Sequence, residues 1–163
     1  MNAAMKKAPL SGVLKHSLKE DSHLLKGLKP GLRAMGEYSG RVEEGDRKVV
    51  DSLDLDEATR LAHPNAHRWD YILGVSARTN PGAADGGTLI GIEVHSATDR
   101  EISVVIAKKQ HSKFVLLREL HPHATVKEWL WIASGRVRFS PNSKNLRLLA
   151  QQKIKFVGST LRL

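Results

Sequence analysis

Asp70 opens a run rich in aromatic and β-branched residues, Trp69-Asp-Tyr-Ile-Leu-Gly-Val-Ser, and Glu93 lies near the end of the next such run, Thr88-Leu-Ile-Gly-Ile-Glu-Val-His. Two carboxylates that converge across paired strands are ligands for Mg²⁺ or Mn²⁺, hard cations that take oxygen donors and retain water. A cation held there can orient a phosphate ester, screen its charge and make nearby water more acidic. His95 follows Glu93 by two residues and shares its strand face, as does Gly91. An imidazole in that place can orient water, act as a base or ligate a metal, and a glycine admits a close backbone or ligand. Lys109 stands seven residues after Ile102, on the helical stripe expected to face the sheet. It is the first choice for a lysine reaching this group, with Lys108 the second.

The elements that must position these residues follow from local pattern. The two apolar runs, joined by the polar segment 79–87, read as a hairpin. Arg47-Lys-Val-Val-Asp-Ser-Leu-Asp-Leu reads as an earlier strand, and Asp54 as the cap of a short helix that stops by Pro64. Thr98 and Glu101 have capping-box spacing, so a helix is expected from there to about His111, with Ile102, Val105 and Ile106 on one stripe. Strands are expected at Phe114–Leu120, Trp129–Ser134, Arg136–Phe139 and Lys155–Leu161, with a last helix from Ser140 to about Gln152.

An Asp at the start of one strand, an acid-X-basic motif on the next (Glu93-Val-His95), then a capped helix and a further strand resemble the PD-(D/E)XK nuclease superfamily over roughly residues 69–120. The resemblance implies a restriction-endonuclease-like α/β fold, a mixed central sheet flanked by helices. It implies that Asp70 and Glu93 hold Mg²⁺ or Mn²⁺, and that Asp70, Glu93, His95 and Lys109 serve catalysis. His95 stands where that superfamily usually has lysine, and a histidine is no permanent cation at neutral pH.

Charge is distributed unevenly. Residues 1–35 carry seven bases and two acids, residues 36–99 six and twelve, and residues 100–163 thirteen and three, within a total of +9. Basic segments around an acidic middle suit a polyanion, whose condensed counterions are released on binding. DNA is favoured over RNA, with Lys108, Arg136, Arg138, Lys144 and Arg147 as contacts. Trp129 and Trp131 share a strand face beside Arg136 and Arg138, a pairing used to stack single-stranded bases, although tryptophans at that spacing more often form core.

Pro9, Gly12, Gly27, Pro30 and Gly31 interrupt residues 1–35, which read as a largely flexible basic arm before a single α/β domain at 36–163. With no cysteine, a disulfide framework and thiolate metal sites are excluded. No apolar run reaches membrane-spanning length and no secretory leader is read, so no membrane partner and a cytoplasmic location are expected. His63/His67, separated by Pro64, and His121-Pro-His123 lack the company of a metal site, and Glu43 and Glu44 read as a solvated turn. Glycines 82, 86 and 87 lack a phosphate-loop ending. Three functions follow: a metal-dependent nuclease, a nucleic-acid-binding module of the same fold without chemistry, and an interaction protein docking on an acidic partner. Oligomeric state has no signature.

Overall fold

The computed structural model describes residues 12–77, 87–140 and 143–163. Residues 1–11, 78–86, Pro141 and Asn142, and with them the expected loop up to residue 86, lie outside the described residues. The chain is a mixed α/β structure built on a six-stranded sheet flanked by helices. The strands are β1 (Lys29–Pro30), β2 (Val42–Glu43), β3 (Arg47–Asp54), β4 (Tyr71–Ala77), β5 (Gly87–His95), β6 (Val126–Ala133), β7 (Ile154–Phe156) and β8 (Leu161–Arg162). Order in the large sheet is β1-β3-β4-β5-β6-β7, antiparallel from β1 to β5 and parallel across β5, β6 and β7. β2 and β8 form a separate parallel ribbon.

Both faces of the sheet are covered, which is why its central strands carry apolar residues almost without alternation. On one face, Trp69, Ile72, Leu89, Trp129 and Trp131 pack against the helices α1 (Val13–Ser17), α2 (Leu55–Thr59), α3 (Ile102–Glu119) and α4 (Lys144–Gln151). On the other, Leu73, Val75, Ile90, Ile92, Leu130 and Ile132 pack against Met35, Val42, Leu161 and Leu163. Trp129 and Trp131 are therefore core, not a stacking platform. Gly91 serves that core: a Cβ there would lie 2.8 Å from Trp129, so the missing side chain makes room for an indole, not for a ligand.

Four other expectations are corrected. Residues 114–119 continue α3 and are not a strand. Parallel pairing of β5 with β6 requires the chain to return the length of the sheet. A nine-residue strand spans about 30 Å, and 18 helical residues about 27 Å; a helix ending at His111 would stop halfway. Ser112, Val115 and Leu116 extend the buried stripe of Ile102 and Val105, and that periodicity outweighs the β propensity of Phe-Val-Leu-Leu. Thr98 makes no side-chain cap bond: the Glu101 N–H donates to the Thr98 carbonyl at 3.1 Å, and the Glu101 carboxylate, which a capping box would turn back to Thr98, pairs with His95. Arg136–Phe139 is not a strand; its strand-like pairing is confined to an isolated bridge between Thr98 and Arg138, while Phe139 packs edge-on against Trp131 and Phe156. The last stretch is two short strands parted at Gly158, whose φ of +82° turns the chain out of the sheet.

The described part of the expected arm, residues 12–35, is packed. Leu14, Leu18 and Leu24 are buried in the helix-side core. The Asp51 carboxylate on β3 accepts the main-chain N–H groups of Leu14 and Lys15, each at 2.9 Å, and so caps α1 from the sheet. Glycine at 74 leaves room for this contact, since a Cβ would meet the Asp51 carboxylate at 2.1 Å. The segment lacks periodicity because its order comes from these distant partners.

Candidate functional site

The β4–β5 ladder pairs Tyr71 with Ile92, so Asp70 and Glu93 face one another one step further along. The N–H of Asp70 donates to Glu93 Oε2 at 3.1 Å, and the N–H of Val94 donates to Asp70 Oδ2 at 3.0 Å. The Asp70 carbonyl accepts the N–H groups of Leu55 and Asp56, which docks the start of α2 against it. One residue earlier, the Trp69 N–H donates to Ser112 Oγ on α3 at 2.8 Å. Asp70 is thus fixed by its own strand, by β5 and by two helices.

Lys108 closes the group. Its ammonium donates to Asp70 Oδ1 at 3.3 Å and to Glu93 Oε1. A single ammonium that reaches both carboxylates puts their oxygens within two hydrogen-bond lengths of each other. Glu101, at the N-cap of α3, and Lys108 and Ser112 on the helix form one stripe, seven and then four residues apart, facing the β4 and β5 ends that carry Asp70 and Glu93. Lys109 lies about 100° further around the helix. Its ammonium donates to the carbonyl of Gln152 and sits 5.6 Å from the Trp129 ring, toward α4 and β6. The first choice of lysine is corrected: Lys108, not Lys109, reaches the carboxylates.

Glu93 has no solvent exposure. Burial, reinforced by the Asp70 charge and opposed by Lys108, pushes its carboxyl up to about 8. Burial also raises Asp70, against the pull of Lys108 and the Val94 N–H. Burial alone would lower Lys108, but the charges of Glu93 and Asp70 outweigh it and hold the ammonium above its ordinary range. Two carboxylates share one ammonium, so proton uptake by Glu93 is favoured over a second buried negative charge.

His95, at the end of β5, bonds Glu101 Oε2 through Nε2 at 2.7 Å, and its Nδ1 lies 3.8 Å from Glu93 Oε1. Glu101 was legible only as a helix cap; its spacing of seven from Lys108 is the signal that places it beside the site. Among the described residues no group of three or more His, Cys, Asp or Glu side chains is arranged to hold a metal ion. The donor set is two carboxylates, one fully buried and under-compensated. That fits Mg²⁺, which commonly binds one or two carboxylates and fills its shell with water and phosphate oxygens.

The group lies at the carboxyl ends of the parallel strands β5 and β6. Residues 134–140 run along the same end: the N–H of Ser134 donates to the His95 carbonyl at 3.0 Å and that of Arg138 to the Ala97 carbonyl at 2.7 Å. Arg136 and Arg138 are exposed there, and Lys144 and Arg147 are exposed on α4. None of the four has a carboxylate partner among the described residues. Elsewhere, Glu44 accepts the N–H of Val49 at 2.8 Å and Glu43 lies in the ribbon. His63 stacks edge-on with His111, and His121 lies flat on His123. An apolar cavity of about 110 Å³ between Leu116, Leu120, Val126 and Trp129 lies at the opposite end of the sheet. No helix among the described residues is long and apolar enough to cross a membrane. No family model, curated protein or solved structure matches the chain.

Proposed function

We propose that the chain is a divalent-metal-dependent nuclease acting on DNA, of the PD-(D/E)XK kind. The observation that carries the reading is the convergence of Asp70, Glu93 and Lys108 at one end of the sheet. Asp70 and Glu93 would hold Mg²⁺ or Mn²⁺, which when bound would orient the phosphodiester, screen its charge and make the attacking water more acidic. Lys108 brings from the helix the cation that the resemblance places on the strand at His95. Its ammonium, held in position by both carboxylates, stabilises the negative charge that develops on the phosphate oxygens. Arg136, Arg138, Lys144 and Arg147 carry unneutralised charge suited to the flanking phosphates.

The test is cleavage of supercoiled plasmid in Mn²⁺. Wild-type protein is expected to nick it, and Asp70→Asn to abolish nicking while binding DNA as well or more tightly, since a negative charge facing phosphate is removed. Wild-type protein that binds but never cleaves, in Mn²⁺ or Mg²⁺, would exclude the reading. One observation favours a second reading, a DNA-binding module without chemistry: the Lys108 ammonium already bridges the two carboxylates, one of them fully buried. The same assay separates the two.

A further inference from the structure

His95 is the one member of the group that the roles above leave unused. Its ring has two distinct partners. Nε2 is 2.7 Å from Glu101 Oε2, within charge-assisted hydrogen-bond distance. Nδ1 is 3.8 Å from Glu93 Oε1, beyond hydrogen-bond reach, on the side of the ring nearest that carboxylate. A carboxylate accepts and cannot donate, so in the neutral ring Glu101 selects the tautomer with hydrogen on Nε2. The lone pair of Nδ1 is then free and faces the cluster. Both side chains are roughly 30% exposed, at 28% and 31%, so the pair lines the open side of a group whose Glu93 is sealed.

We propose that Glu101 is a positioning residue that fixes the tautomer and ring orientation of His95, and that His95 Nδ1 is the general base for the attacking water. The proposal rests on the nuclease reading. In the step, a water oxygen forms the new P–O bond as one of its protons passes to Nδ1. The bond from phosphorus to the leaving oxygen breaks, and that oxygen takes a proton from solvent. The imidazolium then returns its proton to solvent. The sum is one water and one phosphodiester giving a phosphomonoester and an alcohol. A carboxylate behind an imidazole stabilises the imidazolium and holds the ring, the relation that makes a histidine an effective base. Histidine at this strand position is then a change of role and not a damaged lysine, because Lys108 already supplies the cation.

The experiment combines plasmid nicking in Mn²⁺ with ¹⁵N spectra of the histidine rings in the metal-free protein. Glu101→Ala is expected to lower kcat roughly 10²-fold, the scale of general-base catalysis, with KM changed less than twofold. Glu101→Gln, which keeps an acceptor without the charge, should recover part of the loss. In the spectra, wild-type His95 should be a single Nε2–H tautomer, and Glu101→Ala should mix the two forms while the thermal transition stays cooperative. Unchanged kcat in Glu101→Ala, or a His95 tautomer indifferent to it, would overturn the assignment while wild-type cleavage keeps the nuclease reading. Wild-type protein that cleaves nothing would overturn both.

Discussion

The N–H of Asp70 donates to the carboxylate of Glu93 at 3.1 Å, and each carboxylate also accepts from the ammonium of Lys108. An acid fully buried against a second acid has a titration that is coupled to folding. The folded-state carboxyl of Glu93 is raised from 4.5 to about 8, so the folded chain holds a proton that the unfolded chain has released. This contribution to stability is fully present below about pH 4.5 and is lost as pH rises through about 8. Urea melts should show stability falling across that window by a few kcal/mol, at roughly 1.4 kcal/mol per pKa unit. Glu93→Gln should flatten the slope, and Mn²⁺ should restore stability at pH 8 in the wild type.

Lys108→Met strips the cation from both carboxylates. Removing one partner of a buried ion pair costs about 3–5 kcal/mol. The cost should be larger at pH 8 than at pH 5, where protonation relieves the pair. Lys109→Met, whose ammonium serves the Gln152 carbonyl, should leave the pH dependence unchanged. Equal pH profiles for the two variants would show that Lys108 is not the partner.

The segment from residue 12 onward should behave as core. Leu14→Ala should cost about 2–5 kcal/mol, as for other buried leucines. Thr98→Ala should change stability by less than about 0.5 kcal/mol, because its hydroxyl makes no cap bond. Denaturant midpoints with unchanged slopes would check both.

Arg136→Ala and Arg138→Ala should weaken DNA binding about equally on all sequences. Each should reduce the slope of log affinity against log salt by about 1. Filter binding at several salt concentrations gives the slope; an unchanged slope would remove that segment from the interface.

The strands and the facing of Asp70 with Glu93 were legible because Trp69–Ser76 and Thr88–His95 carry β-branched and aromatic residues around their acids. The choice between Lys108 and Lys109 was not. Both lie on the covered side of α3, one toward β4 and β5 and the other toward Trp129, and only the sheet's breadth tells them apart. The second half of α3 was hidden because Phe114-Val-Leu-Leu favours a strand locally, while the crossover to β6 demands a long helix. The order of residues 12–35 was invisible because its cap, Asp51, is on another strand.

In the proposed site Asp70 and Glu93 take up a divalent cation in place of part of the Lys108 charge. Titrating the metal-free protein with Mn²⁺ and counting bound ions by electron paramagnetic resonance tests it most directly. A saturable Mn²⁺ site is expected in the wild type, tighter at pH 8 than at pH 6 because Glu93 must lose its proton, and absent in Asp70→Asn and in Glu93→Gln. Identical titrations for the wild type and both variants would contradict it.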